Sequence, residues 1–113
     1  MPMTDMPKSG MPPGALPMLI LRVLHSGSLH GYAIAQRIRQ LSSDVLEAEE
    51  GSLYPALQRI LVERWVSASW GISETGRRVR FYKLTAEGVK QLERERNEYE
   101  QASAAIRAIL RLA

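Results

Sequence analysis

Residues 49–61, EEGSLYPALQRIL, contain the helix from which the rest of the fold can be worked out. Their apolar side chains recur with the spacing of one buried helical face, at Leu53, Ala56, Leu57, Ile60 and Leu61. Pro55 lies near the start, where a proline is tolerated because its missing N–H has no acceptor within a first helical turn. The sequence therefore predicts a helix that is capped by Gly51 or Ser52 and has Pro55 in its first turn.

The polar residues at the start of this helix suit contact with a polyanion. Ser52 and Tyr54 lie at the helix end whose free N–H groups and positive dipole attract phosphate. The Tyr54 hydroxyl can donate to a phosphate oxygen, and its ring can pack against a thymine methyl group. Two alternatives stay open. Tyr54 can instead pack inward against the preceding helix, and Arg59, which lies away from the apolar face, can be a solvated surface residue.

Two helical segments precede this helix, and a β-hairpin follows it. Residues 15–27, ALPMLILRVLHSG, show helical spacing up to a glycine stop, and residues 28–44, SLHGYAIAQRIRQLSSD, repeat it after a candidate cap at Ser28. The apolar period then changes to that of strands in WVSASWGI and VRFYKLT, with a turn at Thr75 and Gly76. Three helices followed by a hairpin is the order of a winged helix-turn-helix, whose third helix enters the major groove of DNA.

Positive charge is concentrated in the predicted hairpin. The chain has 113 residues with a net charge of +3 and a pI near 9.6, so its overall basicity is mild. Residues 77–83, however, contain Arg77, Arg78, Arg80 and Lys83 and no acidic residue. Like charges this close repel one another, which favours contact with phosphate over a merely solvated face.

The C-terminal segment predicts one long helix, residues 86–113, capped by Thr85 and roughly 40 Å long. A small domain cannot cover such a helix, so we expect a second copy of the chain to do so; the alternative is a solvated helix folded back on its own domain. The residues expected on the dimer seam are Val89, Leu92, Tyr99, Ile106, Ile109 and Leu110. The predicted fold is mainly α with a small β-hairpin: a flexible tail (1–14), a winged helix domain (15–85) and a long dimerisation helix (86–113).

Composition argues against several other classes of protein. The chain has no cysteine, which removes disulfides, thiolate nucleophiles and cysteine-ligated zinc. His25 and His30 lack a third ligand at metal spacing, and no phosphate-binding glycine loop or nucleophile elbow is present, so we expect neither an enzyme nor a bound metal or cofactor. The most apolar run, residues 15–24, is far shorter than the roughly 20 residues of a membrane span. We therefore expect a soluble cytoplasmic protein without membrane contact.

Three motifs together resemble the PadR family of transcriptional regulators, in its short-tailed form. They are HGY at 30–32, EGSLYPAL at 50–57 and GRRVRFYKLTAEG at 76–88, and the resemblance extends over about residues 14–92. It implies a homodimeric winged helix protein, usually a repressor, that binds double-stranded DNA at a palindromic operator. Carried onto matching positions, the implied DNA contacts are Ser52, Tyr54, Pro55 and Arg59 in the third helix and Arg77, Arg78 and Arg80 in the wing.

The resemblance also bears on ligands and on a rival function. For His30, Gly31 and Tyr32 it implies packing and turn geometry in preference to ligand binding. Some PadR-like dimers bind aromatic molecules between subunits, so a small aromatic effector stays open, with Tyr99, Trp65 and Trp70 as candidate lining residues; core packing is the alternative role for such aromatics. The rival function is a winged helix that contacts another protein through its C-terminal helix without specific DNA binding.

Overall fold

The computed structural model describes residues 10–112, which form four helices and a small antiparallel sheet. The elements, in chain order, are α1 (Ala15–Leu24), β1 (Leu29–His30), α2 (Gly31–Leu41), α3 (Glu50–Val62), β2 (Val66–Ile72), β3 (Arg78–Leu84) and α4 (Ala86–Leu110). The mainly α fold with a β-hairpin and a long last helix is confirmed. The predicted tail, residues 1–14, lies mostly outside the described range.

The sheet has one more strand than the sequence predicted. In the order β1-β3-β2, the two residues of β1 pair with β3, with Leu29 opposite Tyr82 and His30 opposite Phe81. A two-residue strand is too short to show an alternating pattern, so only its partner in space identifies it. Its pairing joins the segment before α2 directly to the hairpin.

The hairpin of β2 and β3 is regular from end to end. Val66 lies opposite Leu84 at its base, and Ile72 lies opposite Arg78 at its tip. The connecting turn is closed by the Gly76 N–H, which donates to the Ser73 carbonyl at 2.9 Å. Gly76 has φ 81°, a left-handed value that favours glycine. The predicted turn at this position is confirmed.

The hydrophobic core lies between α1, α2, α3 and one face of the sheet. Ile20 and Leu21 of α1 are fully buried, and Tyr82 brings the sheet into the same cluster. All the fully buried side chains except Leu21 lie on faces that the helical spacing predicted: Ile20, Leu21, Ile34, Leu53, Leu57 and Ile60. One face of α3 packs in this core, and the other face of the helix points toward solvent.

Helix α3 begins earlier than the sequence predicted. Its N-cap is Glu49, and Glu50 occupies the first turn, where the helix dipole favours a carboxylate. Pro55 is therefore the sixth helical residue and lies in the second turn, and the predicted capping by Gly51 or Ser52 is wrong. The missing N–H of Pro55 leaves the carbonyl of Gly51 without its usual intrahelical donor, and Gly51 is exposed so that water can satisfy it.

The start of α2 is fixed by His30 and not by Ser28. The Ala33 N–H donates to Nδ1 of His30 at 3.3 Å, which is a side-chain N-cap. Ser28 cannot cap the helix because the chain is still extended through β1 at that point. His30 of the HGY motif thus has a structural role, which is that of a helix cap.

The start of α4 is tied to the end of α3. Thr85 caps α4, as predicted: its Oγ1 accepts from the Gly88 N–H at 3.0 Å and donates to the Arg64 carbonyl at 2.7 Å. A Cβ on Gly88 would overlap the carbonyl oxygen of Trp65, so only a glycine fits where α4 crosses the end of α3.

One prediction about the dimer seam is wrong. Leu92 is only 3% exposed and packs in the chain's own core, which makes it unavailable to a second copy.

Candidate nucleic-acid interface

Helix α3 presents one continuous exposed face opposite its buried residues. After Glu50 and Gly51 at the helix start, the exposed side chains lie within a single stripe at helical spacing: Ser52, Tyr54, Pro55, Gln58, Arg59 and Val62. Every α3 residue that the sequence singled out for DNA contact is on this face, Arg59 included. The sequence analysis does not single out Gln58, although its spacing of three from Pro55 and four from Val62 places it at the centre of the stripe.

Tyr54 packs against α2 and faces solvent at the same time. A Cβ on Gly31 would lie 3.2 Å from Cε1 and 3.4 Å from the hydroxyl of Tyr54, so the ring rests against the first residue of α2. The side chain is nevertheless 49% exposed. The two alternatives for Tyr54 are therefore not exclusive, since α2 holds the ring while one side of the ring remains accessible.

The wing carries its arginines without acidic partners. Arg77, Arg78 and Arg80 are exposed, and none of them forms a salt bridge within residues 10–112. The guanidinium carbon of Arg78 lies 4.5 Å from the centroid of the Trp70 ring, and that of Arg80 lies 5.8 Å from it. Uncompensated positive charge on a projecting hairpin attracts a polyanion, and salt weakens that attraction.

A groove connects the start of α3 with the wing. Its volume is about 390 Å³, and its walls include Tyr54 on one side and the arginines with Trp70 on the other. His30 and Tyr82 also line it, and Glu50 is the acidic residue among its lining residues. Of the DNA-contact residues predicted from sequence, Tyr54 and the three arginines thus share one concave surface. Ser52, Pro55 and Arg59 lie on the exposed face of α3 outside the groove.

The aromatic residues named for an effector pocket do not meet within one chain. Trp70 lies in the wing beneath Arg78, whereas Trp65 packs against the core at the start of β2. Tyr99 lines a separate groove of about 280 Å³ between α4 and the segment before α1. A pocket made by all three would require a second copy, and the aromatic effector stays a prediction.

Helix α4 carries several large exposed apolar side chains, most of them in its second half. From Tyr99 to Leu112 every residue except Ser103 is exposed. Five seam residues are exposed to a degree unusual for large apolar side chains: Val89, Tyr99, Ile106, Ile109 and Leu110, the last at 77%. This surface is accessible to a partner helix, which Leu92 is not.

The described part of the chain contains neither a metal site nor a membrane-spanning helix. No group of three His, Asp or Glu residues within 10–112 is arranged to hold a metal ion. Across the same range, none of the helices combines the length and the hydropathy that a membrane span needs.

Comparison with known proteins identifies the fold and the family. A family model described as the transcriptional regulator PadR-like family matches residues 20–94. A transcriptional regulator from Clostridium thermocellum superposes with a TM-score of 0.77 at 28% identity, covering 84% of this chain and 92% of that one. A PadR family transcription regulator from Clostridium difficile superposes with a TM-score of 0.73 at 27% identity, covering 86% and 99%.

This chain also matches part of a longer protein in sequence. An uncharacterized 37.1 kDa protein in a transposon of Streptomyces fradiae is 44% identical over 78 residues, which cover 69% of this chain and 21% of that protein. The family match spans α1 to the first part of α4, and it includes the exposed face of α3 and the entire wing. The chain belongs to the PadR-like family of transcriptional regulators.

Proposed function

We propose that this protein acts as a homodimeric repressor that binds a palindromic DNA operator. The observation that carries the proposal is the shared concave surface of α3 and the wing, where three unpaired arginines stand beside an exposed helix face. A duplex fills such a surface by placing one groove over α3 and its phosphate backbone against the wing.

Each part of the surface has a distinct role in this proposal. The start of α3, with Ser52 and Tyr54, contacts phosphate, because free N–H groups and the helix dipole favour an anion there. Gln58 and Arg59 reach base edges in the major groove, where glutamine matches adenine and arginine matches guanine. The wing arginines hold the flanking backbone and supply most of the sequence-independent affinity.

Dimerisation follows from the exposed apolar residues of α4. Two copies related by a two-fold axis would pair these helices and cover Tyr99, Ile106 and Leu110, which one chain leaves exposed. The same axis would present two α3 helices to one side of the duplex, with half-sites about 34–36 Å apart or a multiple of that distance. Repression then requires only occupancy, because a dimer bound across a promoter blocks the polymerase.

Salt dependence of DNA binding tests this function. Fluorescence anisotropy with duplexes from the region upstream of the protein's own gene should show specific binding that weakens steeply with salt. Removing one arginine–phosphate interaction reduces the slope of log K against log salt by about 0.9, so Arg77→Ala should reduce it by about 1.8 in a dimer. Arg22→Ala, which removes an exposed arginine of α1 outside the groove, is the matched control and should leave the slope unchanged.

The outcome also separates this function from a protein-contact module. A winged helix that serves only protein contact would show no specific duplex binding even at low salt. Equal slopes for Arg77→Ala, Arg22→Ala and the unmodified protein would argue against the proposed interface.

A further inference from the structure

The tryptophan of the wing occupies a defined place in the hairpin register. Trp70 of β2 lies directly opposite Arg80 of β3, and Ile72 lies opposite Arg78. Side chains of paired residues project from the same face of a sheet, so Arg78, Arg80 and Trp70 share one face. The distances agree with this register, because both guanidinium groups lie within 6 Å of the Trp70 ring.

Stacking on an indole leaves a guanidinium free to bind phosphate. The guanidinium is planar, and it contacts the ring through its face while its N–H donors point outward along its edge. The negative face of the ring also offsets the repulsion between two neighbouring arginines that have no acidic partner in the described chain. One aromatic side chain can therefore hold two guanidinium groups close together while their N–H groups stay free to donate hydrogen bonds.

We propose that Trp70 is a positioning residue, which orients Arg78 and Arg80 in the free protein as they are needed for binding phosphate. This inference rests on the proposed DNA binding, since the phosphates are those of the duplex backbone. An arginine that is already ordered loses less conformational entropy on binding than a free one. Each ordered arginine therefore raises the affinity by a factor of about 2 to 12. Trp70 contributes through the arginines and not through its own contact with DNA.

The alternative is that Trp70 touches the DNA itself. It is 60% exposed, so a ring edge is accessible to a sugar or a base. The two roles differ in what happens when the arginines are absent. A positioning residue loses its effect without them, whereas a residue in direct contact keeps it.

The test is a mutant cycle measured by fluorescence anisotropy on the duplex that the unmodified protein binds best. Trp70→Leu should weaken binding by at least about tenfold, because a dimer has four such arginines and each loses about twofold or more. The salt slope should stay unchanged, because the arginines still reach phosphate once they are ordered. Trp70→Phe keeps an aromatic face and should restore most of the affinity. Ile72→Ala, which removes an exposed apolar side chain from the same strand and face, is the matched control and should stay within about twofold.

The decisive comparison places Trp70→Leu in an Arg78→Ala/Arg80→Ala background. In that background, Trp70→Leu should cause no further loss of affinity. An undiminished loss of tenfold or more would show that Trp70 acts on DNA directly. Full affinity of the single Trp70→Leu variant would also overturn the inference while leaving the DNA-binding function intact. If the unmodified protein binds no duplex, the DNA-binding function and the role of Trp70 both fail. Thermal unfolding followed by circular dichroism verifies that each variant is folded.

Discussion

Replacing Gly88 with alanine should destabilise the protein, although alanine is the better helix former. Gly88 lies in the first turn of α4, where the chain crosses the end of α3. An alanine Cβ there would overlap the carbonyl oxygen of Trp65 and lie 2.6 Å from Cδ1 of Leu84. The leucine can rotate, but the carbonyl belongs to the backbone and accepts a bond from the Thr85 N–H at 3.0 Å. The first turn of α4 must therefore move.

The free energy of this change can be estimated from its parts. Overpacking in a filled site costs about 1–3 kcal/mol or more, and weakening the bond between Thr85 and Trp65 costs about 1 kcal/mol. The better helix propensity of alanine returns about 0.5–1 kcal/mol. We expect Gly88→Ala to lower the free energy of unfolding by about 3 kcal/mol, which moves a urea midpoint down by about 2 M.

The same substitution at Gly51 should act in the opposite direction and is the matched control. Gly51 lies in the first turn of α3, and nothing lies within 4 Å of a Cβ built there. Gly51→Ala should therefore raise the free energy of unfolding by about 0.5 kcal/mol. Both variants are measured by urea unfolding followed by circular dichroism, at one protein concentration because the stability of the proposed dimer would depend on it. An unchanged or higher midpoint for Gly88→Ala would refute the reasoning, as would equal losses at the two glycines.

The two remaining predictions concern assembly and base recognition. Ile106→Glu should give a monomer at micromolar concentration in size-exclusion chromatography with light scattering, because it places a charge on the apolar surface of α4. Ala108→Glu, on the opposite side of that helix, should stay a dimer, and dimers of both variants would argue against this surface. Gln58→Ala should relax the preference for one base pair per half-site by about 1–3 kcal/mol in a competition assay with single-base operator variants. An identical preference in the variant and the unmodified protein would remove Gln58 from base recognition, and Gln101→Ala of α4 is its control.

The sequence predicted those elements whose signal is long and periodic. The buried face of α3 and the change to strand spacing at Val66 both appear as expected, because burial of one face imposes its period on the chain. The sequence predicts the start of α3 too late, because a proline is best tolerated in the first turn of a helix. The structure shows Pro55 in the second turn, where the missing hydrogen bond falls on an exposed carbonyl.

Other features depend on packing that a linear pattern does not contain. Leu92 has the same helical spacing whether α4 packs on its own domain or on a second copy, so only the structure assigns it to the core. The stacking of Arg78 on Trp70 depends on the hairpin register, and a shift of one residue would place them on opposite faces. Gln58 could have been found from the sequence, by continuing the exposed stripe of α3 beyond its first turn.

The short strand β1 bears on how DNA would have to deform to bind this protein. Its pairing with β3 ties the base of the wing to the segment that leads into α2, so the helices and the wing base share one sheet. The separation between α3 and the wing is then largely set before any duplex arrives. A complex must adjust the width of the DNA grooves to that separation, and the energy of doing so depends on how easily each base step deforms. In the proposed complex, operator preference would thereby extend to base pairs under the wing that no side chain contacts, through the stiffness of the duplex alone.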